Sequence, residues 1–91
     1  MARQRLDAFG EGTEVVRVYL AAGLAEAQTV EEALDAAGFT FAVEVESYAT
    51  RTLFGSGLRE GAGFWLVEGD LEAAASLLER AGLIRGLVDR G

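Results

Sequence analysis

The chain has 91 residues, 51% hydrophobic and 25% charged, with fifteen carboxylates against eight arginines, a net charge of −7, and no Lys, His or Cys. These values describe one small domain of folding composition. They argue against a nucleic-acid face or an anionic membrane surface, which need clustered cations, and they exclude disulfides, His/Cys metal sites and His-based nucleophile pairs.

Met1–Gly12 carries Gly10 and Gly12 and no clear period. It is expected to be a loosely ordered lead-in to a single domain over 13–91. It has no apolar core of the kind a secretory signal needs, and no apolar run approaches the roughly 20 residues of a membrane span, so a cytoplasmic, membrane-free setting is the expectation.

From Thr13 to Ala22 the residues alternate. Val16, Val18 and Leu20 take one face, and Arg17 and Tyr19 the other, which predicts a strand. Gly23 interrupts it. Leu24, Ala27, Val30, Leu34 and Ala37 then recur at spacings of three and four, with Glu26, Glu31, Glu32 and Asp35 between them, which predicts a helix over Leu24–Ala37 closed by Gly38. Phe39–Ser47 alternates again. Phe39, Phe41, Val43 and Val45 share one face, with Thr40, Ala42, Glu44 and Glu46 opposite.

Tyr48–Gly63 has no sustained period and contains Gly55, Gly57, Gly61 and Gly63, so a sixteen-residue loop is expected, long enough to be functional or mobile. Phe64–Glu68 is a short apolar strand. Asp70 is a suitable N-cap for a second helix with Leu71, Ala74, Ala75, Leu78 and Ala81 on one face, ended by Gly82. Leu83–Val88 is a candidate fourth strand weakened by Gly86. The order predicts an α+β sandwich of ferredoxin-like type, βαββα(β), with a four-stranded, mainly antiparallel sheet and both helices on one face.

Such a sheet leaves its second face open. Arg17 and Tyr19 are expected there, with Glu44 and Glu46. The third strand contributes either Phe64 and Leu66 or Trp65 and Val67. Either pair is apolar, and covering it would stabilise by roughly 1.5–3 kcal/mol per side chain. An interface is therefore expected, for a homo-oligomer or a protein partner, with Arg17, Tyr19, Phe64, Trp65 and Val67 as its candidates.

Glu44 and Glu46 stand about 7 Å apart by strand geometry, near glycosidase separations. A solvated face ion-paired to Arg17 accounts for them more simply. Glu31 and Asp35 lie one helical turn apart but offer too few oxygens for Ca²⁺ or Mg²⁺, and no cofactor motif is found. The Gly-rich stretch offers free amides for an anion or a partner: Gly55, Ser56, Gly57, Gly61 and Gly63, with Arg51 and Arg59 as cations. It lacks the third Gly of a dinucleotide fingerprint and the Lys of a P-loop.

The runs Val16-Arg17-Val18-Tyr19, Leu24-Ala25-Glu26-Ala27-Gln28 and Leu34-Asp35-Ala36-Ala37-Gly38-Phe39, with the later Trp65-Leu66-Val67-Glu68-Gly69-Asp70-Leu71, are the most recognisable. They resemble a family of short bacterial proteins of unknown function, described as prokaryotic signal-transducing proteins with a PII-like, ferredoxin-like fold. The resemblance spans about Val15–Leu83. It implies a regulatory role and places Tyr48–Gly63 where PII regulators carry their partner and nucleotide loop. The chain is also similar to ACT domains at Ala81-Gly82-Leu83 and at Gly23, a similarity that implies a small amino-acid effector near Gly23.

The leading expectation is thus a non-enzymatic regulatory or interaction module that oligomerises through the open sheet face, with 48–63 as contact element. The alternative is a domain that binds a small effector, an amino acid or an anion. A carboxylate enzyme built on Glu44 and Glu46 is the remote third.

Overall fold

Three antiparallel strands and two helices follow in the order β1 (Arg3–Gln4), β2 (Val15–Ala21), α1 (Leu24–Ala36), β3 (Phe41–Thr52), β4 (Gly55–Val67) and α2 (Leu71–Arg80), with β1 a two-residue addition at the sheet edge. This is a computed structural model that describes residues 3–4, 14–52 and 55–88, with side chains over 14–47 and 60–88. The sheet order is β1-β3-β4-β2, with β1 parallel to β3 and the other pairs antiparallel. Apart from Arg3–Gln4, the lead-in expected over Met1–Gly12 lies outside the described residues.

Both helices stop for the same local reason. Gly38 and Gly82 take φ of 84° and 83°, a left-handed conformation that costs glycine little. After α1, the Gly38 and Phe39 amides donate to the Asp35 and Leu34 carbonyls at 3.0 and 3.1 Å. After α2, Gly82 and Leu83 donate to Glu79 and Leu78 at 3.0 and 2.9 Å. These are paired Schellman closures, and Phe39 and Leu83 then fold back onto the core. The N-terminal ends differ. Asp70, the expected cap of α2, occupies the N-cap position without a side-chain cap bond, after a 3₁₀ turn over Glu68–Asp70, and Gly23 stands at the N-cap position of α1.

The core lies between the helices and one sheet face. Val30 and Leu34 of α1 and Ala74, Ala75 and Leu78 of α2 meet Phe41, Phe64 and Leu66, all fully buried. Phe41 and Phe64 pack as tilted rings with centroids 5.9 Å apart.

Four sequence expectations are corrected. Tyr19 is not on the open face. β2 carries a bulge: Arg17 pairs with Trp65 and Tyr19 with Phe64, so Val18 is an extra residue. One inserted residue reverses the facing of everything after it. Tyr19, expected outside, is 1% exposed in the core, and Leu20, expected inside, is half-buried on the other face.

Phe64 is likewise removed from the candidate interface, because it and Leu66 are the core pair, which leaves Trp65 and Val67 on the outer face. The loop expected over Tyr48–Gly63 is the two arms of a hairpin, paired continuously from Ala42↔Trp65 to Thr52↔Gly55. Backbone amides carry that ladder, so it needs neither a hydrophobic period nor side chains on its glycines. The expected fourth strand over Leu83–Val88 is a turn with one bridge, Tyr19↔Leu87.

Candidate functional site

The outer sheet face is organised by a carboxylate crossing the central strand. Glu46 is on β3 and Arg17 on β2, with β4 between them. The Glu46 side chain lies over Gly63 of β4, where an added Cβ would come within 1.8 Å of Oε2. Its Oε2 accepts from Trp65 Nε1 at 2.8 Å, and its Oε1 accepts from Arg17 Nη1 in an ion pair. The expected ion pair of Glu46 with Arg17 is present, but the Glu46 side chain, 21% exposed, is more covered than a solvated face implies. Trp65 and Val67 are half-buried, and neither belongs to the exposed large apolar side chains found among the described residues, which are Leu24 (77%), Val45 (74%) and Ile84 (62%).

Two of those three lie together elsewhere. Leu24, at the start of α1, and Val45, on β3, line a shallow groove with Ala21, Ala27 and Ala62. Val45 pairs with Ala62 and has the parity of the core residues Val43 and Phe41. It remains exposed because β3 continues past the part of the sheet that the helices cover. Gly23, one of the residues singled out for a ligand, stands at the edge of this groove with extended backbone. β2 pairs with β4 only as far as Ala62, so residues 55–61 of β4 have no neighbouring strand on that edge among the described residues. Arg51, Gly55, Ser56, Gly57 and Arg59 lie in this projecting hairpin, with Arg51 opposite Ser56 and Thr50 opposite Gly57. Gly61 and Gly63 follow toward the body, opposite Glu46 and Glu44.

A third feature lies on the other edge of β2. A cleft of about 440 Å³ opens between β2, the start of α1 and the 85–88 segment. The segment is seated by Leu20 N–H donating to the Gly86 carbonyl (2.9 Å) and Val88 N–H donating to Val18 (3.0 Å). The Tyr19 hydroxyl donates to Glu26 Oε2 at 3.1 Å, and the Ala22 amide donates to Glu26 Oε1 at 2.8 Å. Burial holds the Tyr19 phenol above the ordinary tyrosine range. Glu26 pushes the same way by charge and hydrogen bond, against the Gly86 amide and the Arg85 guanidinium. Arg17 and Arg85 both line the cleft.

Sequence reasoning put Arg17 on the outer face, left Trp65 as one of two options for it, and missed Glu26, Arg85 and Gly86 as neighbours in a cleft. Glu26 had a signal, since an acid at the third helical position commonly reaches back to the amides before the helix. Gly86 was visible only as a blemish in a strand, and Arg85 carried no pattern at all. Among the described residues no three carboxylates converge as a metal site requires, and no helix is long and apolar enough to cross a membrane. In comparisons with protein families, curated proteins and solved structures, nothing matches the chain.

Proposed function

We infer that the chain is a small non-enzymatic regulatory or interaction module of ferredoxin-like topology, and that it pairs with a second copy of itself through the projecting β3–β4 hairpin. The topology is supported by the Tyr19↔Leu87 bridge, which sets 85–88 beside β2 on the edge away from β4 and so gives the ferredoxin-like order of neighbours. The resemblance to short bacterial signal-transducing proteins points the same way.

The observation that carries the self-pairing is the edge of β4 over 55–61, which has no strand partner among the described residues, next to the exposed Val45 and Leu24. An open edge is a template for another strand, and natural monomers cover or blunt theirs. Like edges related by a two-fold axis pair antiparallel and close at a dimer. Residues 55–61 carry one Arg and one Glu, so two such edges meet without net charge in a chain whose total is −7. This moves the expected contact from the open sheet face to the hairpin.

Light scattering across a wide concentration range tests it. The wild type is expected at dimer mass and Val45→Glu with Leu24→Glu at monomer mass, with unchanged far-UV circular dichroism. A wild type that stays monomeric refutes the reading. So does dissociation by Val67→Glu, on the open face, while the hairpin variant remains dimeric.

A further inference from the structure

Thr52 pairs with Gly55, so only Leu53 and Phe54 stand between β3 and β4 in the sequence. Two-residue connections favour Asn-Gly, Asp-Gly or Gly-Gly, whose backbones suit the turn. Leu-Phe meets no such need, and it sets two large apolar residues at the end of a projecting element. The apolar groove of the same chain is out of their reach. Val45, on its wall, lies nine positions before Phe54, about 30 Å along a strand.

A second copy can deliver them to it. The groove holds about 360 Å³ between Leu24 and Val45, and its other apolar walls are small: Ala21, Ala22, Ala27 and Ala62. Residues 55–61 of β4 have no neighbouring strand on the β2 side among the described residues. Two copies that pair this whole stretch antiparallel have their two-fold axis at Leu58, with Gly55 of one opposite Gly61 of the other. That register sets Glu60 opposite Ser56 and Arg59 opposite Gly57, so no like charges meet. The next residues of the incoming strand, Phe54 and then Leu53, reach the place where β2 ends at Ala21 and turns through Ala22 and Gly23 into α1, which is the groove.

We propose that the Leu53–Phe54 tip of each copy seats in the Leu24–Val45 groove of the other, with Phe54 as the anchor. The contact rests on the self-pairing reading and deepens it. It is reciprocal, so each dimer holds it twice, and the groove is incomplete without the second copy. A large aromatic side chain in a well-packed pocket is the usual form of an interface anchor.

Light scattering over a dilution series, with far-UV circular dichroism as the control for folding, reads the contact. Phe54→Ala is expected to raise the dimer dissociation constant roughly a hundredfold or more, because the loss counts twice in each dimer. The chain has no Cys, so single introduced cysteines report which positions meet. Leu53→Cys, which leaves Phe54 in place, is expected to form a disulfide-linked pair with Leu24→Cys under mild oxidation in preference to Val67→Cys on the open sheet face. A wild type that stays monomeric removes the self-pairing and this contact together. A wild-type dimer that Val45→Glu with Leu24→Glu dissociates, but whose dissociation constant Phe54→Ala leaves unchanged, keeps the pairing and overturns the seating of the tip. Preferential cross-linking of Leu53→Cys to Val67→Cys overturns it as well.

Discussion

Replacing Gly86 by alanine should detach the last described segment of the chain from the sheet. The new Cβ would lie 1.9 Å from the Leu20 carbonyl oxygen, 2.8 Å from its carbon and 2.9 Å from Cε1 of Tyr19. Two of these are backbone atoms, so no rotamer change relieves the clash. Gly86 is not in the left-handed region, so the cost is steric rather than conformational. The segment can yield only by lifting away from β2. That would break the Leu20–Gly86 and Val88–Val18 backbone bonds. At about 1 kcal/mol per bond, with about 1 kcal/mol more for uncovering Leu87 and Val88, and less than about 1 kcal/mol regained from a stiffer unfolded chain, the net loss is about 2 kcal/mol. In a domain of this size that lowers Tm by roughly 8–16 °C. Urea denaturation with a thermal melt measures it, with Gly69→Ala as control. Nothing lies within 4 Å of a Cβ at Gly69, so that change should stay within about 0.5 kcal/mol of wild type. A Gly86→Ala variant as stable as the Gly69→Ala control would refute the argument that this close approach seats the segment.

The Tyr19 phenol ionises above its unfolded value, so the native state keeps its proton where the unfolded chain has lost it. Its contribution is complete below the unfolded tyrosine pKa of about 10 and is lost as pH rises through the higher folded value. Urea melts at increasing pH above the unfolded value should therefore show wild type losing more stability than Tyr19→Phe, and parallel pH profiles would refute the assignment. The Arg17–Glu46 pair should couple by roughly 0.5 kcal/mol in a double-mutant cycle with Arg17→Met and Glu46→Gln, since the Arg17 side chain is 42% exposed. That coupling should nearly vanish at about 1 M salt, and a coupling above about 2 kcal/mol, or one indifferent to salt, would show a pair far less solvated than this one. Gly38→Ala and Gly82→Ala should each cost about 1 kcal/mol, because alanine is strained at their φ of 84° and 83°; no measurable change in urea midpoint for either would count against the Schellman closures.

The parts of the fold legible in the sequence were those that local chemistry decides. The helical period of Leu24, Ala27, Val30 and Leu34, and the glycines at 38 and 82, placed both helices to within one residue at each end. The alternation over Phe39–Ser47 placed the first half of β3, which continues to Thr52, and put Phe41 and Val43 on its core face, while Val45 on that parity is exposed. The Gly-rich stretch misled because its strand character comes from pairing with β3, and a ladder partner is invisible to any pattern along one segment. The candidate sites suffered for related reasons. Glu26 and Arg85 are 59 positions apart in the numbering, and only the return of 85–88 to the edge of β2 brings both to one cleft.

The sequence by itself determined the class of the molecule: an acidic α+β domain without His or Cys, its helices bounded by glycine and its strand and helix faces set by period. Those features depend on φ, ψ and burial of residues near one another in the chain. Tertiary structure decided what faces where. A single extra residue in β2 turned Tyr19 inward and Leu20 outward, because side chains alternate with a period of two and one insertion inverts the remainder. That inversion took Tyr19 off the open face, where the sequence had placed it, and put its hydroxyl against Glu26. Where the bulge falls is set by how β2 docks on β4 and on the core between them, a contact of distant segments that no stretch of the chain encodes alone.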